Sequence, residues 1–164
     1  MAAKTKSTKK SRSKQLDAIA LLKADHRQVE EWFSQYDKSK SESKKQQLAN
    51  NICHALTVHA AIEEEIFYPA FLEATEDKDT HHEAVVEHAG AKNLIAEVQG
   101  MSVGDDYFDA KVTVLSEMIK HHVKEEEQSG GMFAEARNSN MDLRALGEQM
   151  LARKQELQAQ SKAA

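Results

Sequence analysis

The sequence predicts an all-α protein, an up-down-up-down four-helix bundle with an additional C-terminal helix. Three observations carry that prediction. One proline and six glycines in 164 residues leave few helix breakers, while Ala, Glu, Lys, Gln and Leu are abundant and favour helix over sheet. Apolar residues recur at alternating spacings of three and four along four separate stretches, the signature of a helix with one buried face. Short polar linkers join those stretches, and short connections place successive helices antiparallel.

The first helix is expected over about Gln15 to Asp37, where Ile19, Leu22, His26, Val29, Phe33 and Tyr36 form one stripe. Lys38 to Ser43 makes a turn. A second helix then runs from about Ser43 to Ala74, with Ile52, Leu56, His59, Glu63, Ile66 and Ala70 in line. Pro69 near its end is expected to kink or stop it, because proline lacks the donor a helix interior needs. The acidic stretch from Glu76 to Asp79 reads as a loop, with Asp79 or Thr80 as N-cap of a third helix reaching about Val98. Its inward positions are Ala84, His88, Ala91, Ile95 and Val98.

Gly100 and Gly104 bracket the next loop, and Asp105 is placed to cap a fourth helix. Phe108, Val112, Leu115, Ile119, His122 and Glu126 are its stripe. Gly130-Gly131 breaks the run. After Asn138-Ser139-Asn140, a last amphipathic segment uses Leu143, Leu146, Met150 and Leu157. The expected organisation is a basic tail over 1–14, the bundle over 15–134, and a C-terminal helix and tail over 135–164.

The net charge of −5 conceals an uneven distribution. Residues 1–14 hold five lysines, one arginine and no acid, so the remainder carries −11. That tail has no apolar periodicity and is expected to be disordered. It is the one feature suited to nucleic acid, and it lacks the interleaved aromatics of such surfaces, so the expectation is against a nucleic-acid partner. No apolar run reaches the roughly 18–20 residues of a membrane span, so no membrane partner is expected. The single cysteine, Cys53, forms no internal disulfide, in keeping with a cytoplasmic protein.

Each of the four stripes carries a histidine, and two carry a glutamate one turn later: His59-x-x-x-Glu63 and His122-x-x-x-Glu126, beside His26 and His88. Residues four apart share a helix face, so each pair aims an imidazole and a carboxylate the same way. A lone histidine on an apolar stripe is usually a satisfied core residue. Four at mid-helix, with two glutamates that are costly to bury unpaired, point instead to a cation held by His26, His59, Glu63, His88, His122 and Glu126. Imidazole with carboxylate suits iron, manganese or zinc, and six donors exceed what one tetrahedral zinc needs.

The other histidines read differently. His54 lies off the stripe, His121 with Glu125 reads as a surface pair, and His82 is poorly placed. His81 shares the face of His88 and is placed to cap the site or line its entrance. Glu64, Glu65 and Glu127 are either solvated or accept hydrogen bonds from ligand histidines. No His-Glu-x-x-His, phosphate-cradling glycine loop or cysteine pair is present. The Glu-x-x-His of ferritin-like diiron proteins is also absent.

From about Leu16 to Phe133, these residues resemble the hemerythrin family in its bacterial HHE cation-binding form. The specific pieces are Asp25-His26, His59-x-x-x-Glu63-Glu64 running on to Phe67-Tyr68-Pro69, Glu87-His88, and His122-Val123-x-x-Glu126-Glu127. The resemblance implies two non-haem iron atoms, bridged by two carboxylates and an oxygen atom. It assigns Glu63 and Glu126 as bridges, His26 and His59 to one iron, and His88 and His122 to the other.

Oxygen-carrying members have a second histidine four residues from the one matched by His88, where this chain has Ala84 before it and Lys92 after. Unless His81 or a loop residue swings in, the second iron has an additional open position. Gly130-Gly131-Met132-Phe133-Ala134 also replaces the family's usual ending of the fourth helix. The implied function is binding of oxygen, peroxide or nitric oxide, with turnover of peroxide or nitric oxide, iron storage and sensing as alternatives on the same site. Trp32, Phe33, Tyr36, Phe67 and Tyr68 are expected as an apolar surround and as core. Oligomeric state is not legible.

Overall fold

The computed structural model describes residues 16–163, so the basic tail expected over 1–14 lies outside the described residues. The helices in order are α1 (Ala18–Lys38), α2 (Glu42–Ile62), α3 (Tyr68–Thr75), α4 (Lys78–Gln99), α5 (Phe108–Glu127), α6 (Met132–Asn138) and α7 (Leu143–Ala163). A π-helical turn, Glu63–Phe67, joins α2 to α3. α1, α2 with its continuation into α3, α4 and α5 form the up-down-up-down bundle. α7 packs along α1 and α2.

The stripes expected in α1, α4 and α5 are buried throughout. In the second helix the stripe fails after Glu63. Ile66 and Ala70 are only half-buried, and Phe67, Tyr68 and Phe71 go inside instead. The π turn is the reason: the Tyr68 amide bonds to the Glu63 carbonyl five residues back, and that extra residue rotates everything beyond it. Pro69 therefore neither ends nor breaks the segment. It sits in the first turn of α3, where its missing donor is harmless.

Two caps also differ from expectation. Asp77, not Asp79 or Thr80, starts α4 by accepting from the Thr80 amide at 3.1 Å. Asp105 does not cap α5; it accepts from the Ser102 amide at 2.8 Å and closes the loop. α5 instead begins after Tyr107, which holds a left-handed conformation at φ 69°. The short α6 was not legible in the sequence, whose Gly130-Gly131 break takes up only the turn before it.

Two apolar clusters fill the bundle, with a polar layer between them. One runs from Val29, Phe33 and Ile52 to Ile95 and Leu115; the other joins Ile19, Leu22, Phe67, Phe71, Phe133 and Met150. On α1, α2 and α4 the histidine falls where one cluster gives way to the other, and on α5 His122 lies at the end of the first, beside Val123. At the far end of the first cluster, the Tyr36 hydroxyl donates to Asp109 at 2.5 Å and ties α1 to α5. Buried Cys53 has its thiol pushed up to about 11 by desolvation. α7 seats closely because a Cβ on Gly147 would come within 2.7 Å of the Ala18 amide and the Leu16 carbonyl.

Candidate metal centre

His26, His59, His88 and His122 are all buried, and so are Glu63 and Glu126, at 0 % and 2 % exposure. The histidines form two matching pairs. His26 Nε2 lies 3.2 Å from His59 Nε2, and His88 Nε2 lies 3.2 Å from His122 Nε2. In both pairs the ring centroids are 4.9 Å apart and the planes meet at 61°. Ligand atoms of His26, His59 and Glu63 fall within 4.8 Å of one another, as do those of Glu63, His88 and His122, so Glu63 belongs to both sets. Glu126 also spans them, with Oε2 at 3.3 Å from His26 Nε2 and Oε1 at 3.2 Å from His122 Nε2.

Behind each imidazole stands one carboxylate. Asp25 faces His59 Nδ1 at 3.2 Å, Glu127 faces His26 Nδ1 at 2.7 Å, Glu64 faces His88 Nδ1 at 2.9 Å, and Glu87 faces His122 Nδ1. A carboxylate only accepts, so each Nδ1 is the donor and the lone pair of a neutral ring falls on Nε2. Each carboxylate has in turn a basic partner: Lys154 on Asp25, Arg27 on Glu127, Lys92 on Glu64 and His121 on Glu87. Glu64 and Glu127 thus take the accepting role, while Glu65 turns outward to Arg153 at 2.7 Å.

Four inward lone pairs and two buried carboxylates demand positive charge. Both Glu63 oxygens and Glu126 Oε2 are buried without a hydrogen bond. Glu63 Oε1 comes within 2.5 Å of His59 Nε2, but without the alignment a hydrogen bond requires. Orphaned buried carboxylate oxygens are too costly to be incidental. The electrostatics of the buried groups agree. Burial disfavours charge on His59, yet Glu63 and Asp25 outweigh it and push the group up to about 10. His122 is likewise raised well above its usual range, against burial, by Glu126 and Glu87. Burial also opposes ionisation of Glu126, but His122 and His26 hold it well below the usual carboxylate range. The layer is built for cations, and its nitrogen and oxygen donors suit iron, manganese or zinc.

The halves differ in what lies against them. Phe133 stacks on His26, with centroids 5.8 Å apart and planes 7° from parallel, and Phe67 meets Phe133 edge-on. On the other half sits Tyr68. Its hydroxyl donates to Glu126 Oε1 at 3.2 Å and lies 3.0 Å from His88 Nε2 and 3.3 Å from His122 Nε2. Ala84, the small residue one turn before His88, is buried in the same cluster as Tyr68. His81 packs against the Tyr68 ring, centroids 6.2 Å apart, outside the histidine layer. A cavity of about 500 Å³ reaches all four histidines from the other side, between Val29, Trp32, Leu56, Ile95 and Ile119. Phe33 and Tyr36 do not line it; they pack in the first cluster.

The sequence analysis placed Tyr68 only in the apolar surround and named Asp25 and Glu87 only as pieces of the resemblance, giving none of the three its role at the site. Asp25 and Glu87 carried a usable signal. An acid precedes the first histidine of each half, and a second acid follows each His-x-x-x-Glu. Thirty-three residues separate His26 from His59 and thirty-four separate His88 from His122. The histidine–acid pattern is therefore repeated two-fold, α1 and α2 against α4 and α5, further than the paired His-x-x-x-Glu alone.

Fold and site together define a helical bundle with an interior histidine–carboxylate cation site. The hemerythrin family model, described as the hemerythrin HHE cation binding domain, matches residues 17–129, and the chain belongs to that family. A hemerythrin HHE cation binding domain-containing protein from Mycobacterium kansasii has a similar fold. The TM-score is 0.74 at 19% identity, over 90% of this chain and 91% of that one. A protein named DNA nickase, from a Nostoc species, is 29% identical over 119 residues, 73% of this chain; the chain spans 33% of that protein's length. Among the described residues no helix is long and apolar enough to cross a membrane.

Proposed function

We propose that the chain is a non-haem diiron protein that binds or reacts with oxygen, peroxide or nitric oxide. In this reading His26 and His59 hold one iron, His88 and His122 hold the other, and Glu63 and Glu126 serve both. The observation that supports it most is the convergence of four imidazole Nε2 atoms on buried carboxylate oxygens left without hydrogen bonds. Iron bound there would supply the electrons for binding or reducing a small oxidant.

The chain's own residues then have separable tasks. Asp25, Glu64, Glu87 and Glu127 fix the tautomer and tilt of the four rings and raise their basicity. The cavity admits a small molecule to the layer and, through Trp32 and its aliphatic neighbours, limits water. Tyr68 holds a proton on its hydroxyl: burial, and then the charges of Glu63 and Glu126, push its ionisation well above the ordinary phenol range. A neutral phenol at that point can donate to a small ligand lying between the second histidine pair and Glu126.

Tyr68 favours a second reading on the same site, an enzyme that consumes peroxide or nitric oxide. A carrier needs only reversible binding, whereas reduction needs protons, and one stands in the second half. The test is anaerobic iron loading followed by optical spectra before and after oxygen, peroxide and nitric oxide. A lasting oxygen adduct supports a carrier or sensor, and many turnovers of peroxide support the enzyme. No spectral response to any of the three would overturn both.

A further inference from the structure

The two-fold repeat fails at one surface patch. His121 and Glu125 of α5, each one residue before a member of the buried cluster, correspond to Val58 and Ile62 of α2, which are buried. His121 instead stands with 63 % of its side chain exposed. Its Nε2 is 3.2 Å from Glu125 Oε1 and 3.4 Å from Glu87 Oε1, and the three residues offer ligand atoms within 4.8 Å of one another. Glu87 uses its other oxygen, Oε2, to accept from His122 Nδ1. The acids behind the other three imidazoles face Lys154, Arg27 and Lys92, and a protonated lysine or arginine has no lone pair for a metal. Only Glu87 is backed by a residue that can ligate.

We propose that Glu87, His121 and Glu125 form a third cation site, exposed and exchangeable, for a divalent transition metal. One imidazole with two carboxylates suits Fe²⁺, Co²⁺ or Zn²⁺ better than Ca²⁺ or Mg²⁺. Three protein ligands leave further positions to water, and the exposure of His121 leaves the ion open to exchange with solvent. Its place one carboxylate away from His122 makes it a landing point for metal entering the buried layer. The landing role rests on the diiron reading; the site itself does not.

The test is equilibrium dialysis of the metal-free full chain against Co²⁺, comparing wild type with His121→Ala and Glu125→Gln. Neither substitution removes a residue of the buried layer or Glu87 itself, whose Oε2 accepts from His122 Nδ1. Wild type is expected to bind three Co²⁺ per chain, and each variant two. Equal stoichiometry in wild type and both variants would overturn the third site; if that number were two, the buried pair would stand. One ion in wild type and none in the variants would establish the surface site and defeat the diiron reading.

Discussion

The half of the centre built by α1 and α2 and the half built by α4 and α5 share one polar skeleton and differ in what backs it. Each has two imidazoles at the same spacing and angle, each ring braced by an acid. The first half is covered by an inert ring, Phe133 on His26. The second is faced by the Tyr68 hydroxyl. Holding a cation requires the skeleton, so both halves keep it. On the proposed reading reactivity depends on the backing, where the halves diverge: the first faces a phenyl ring and the second a hydroxyl.

The largest effect is expected where the halves are joined. Glu63→Ala or Glu126→Ala should empty both halves. The loaded protein should also lose its metal-dependent thermal stabilisation, because metal bound only by the folded chain adds directly to folding free energy. Metal analysis with a thermal scan checks this. If Glu63→Ala kept both ions, the halves would not share that carboxylate.

Next in size are changes confined to one half. His26→Ala should remove metal from the first half and His88→Ala from the second, each leaving about one ion in the buried layer. Removing the bracing acids should cost less: Asp25→Ala or Glu87→Ala is expected to weaken metal binding about 10–100-fold, read by competition with a chelator. Lys154→Ala, one layer further out, should weaken metal binding by under about fivefold. An effect of Lys154→Ala as large as that of Asp25→Ala would mean the outer cations, and not the acids, set the ring positions.

Tyr68→Phe sharpens the comparison most selectively. It should leave metal content unchanged and cost about 1 kcal/mol of stability, yet slow peroxide reaction. Phe133→Leu should affect neither metal content nor rate appreciably. Equal slowing by both would assign the effect to packing.

Loading should also depend on pH, with a definite sign. His59 is raised to about 10 in the metal-free chain, so near neutrality an incoming metal must displace its proton, and His122 is raised in the same direction. Protons are therefore released on loading, and affinity should climb as pH rises toward 10. Dye-monitored proton release in weak buffer measures it, and proton uptake would contradict it.

The inward stripes of α1, α4 and α5 were legible because a regular α-helix repeats every 3.6 residues, and the six clustered His and Glu residues lie on such stripes. Tyr68 was not. Five residues after Glu63, regular helix geometry puts it about 140° around the axis. The π turn returns it to the site's side, and Pro69 was the only local hint of irregularity. Asp25 and Glu87 were hidden for another reason. Each lies about 100° from its neighbouring histidine and serves a ring on a different helix, so its partner exists only after the bundle assembles. Glu64 and Glu127 behave alike, and for them solvation or ring-bracing could not be separated until the neighbouring helices were in place.

The central claim is that the two halves each hold one iron. Elemental analysis of the full chain, loaded with ferrous iron under anaerobic conditions and then gel-filtered to remove exchangeable surface metal, tests it most directly. The account predicts two iron atoms per chain, falling to about one in His88→Ala. One tightly held zinc with no iron uptake, or a single iron unaffected by His88→Ala, would contradict it.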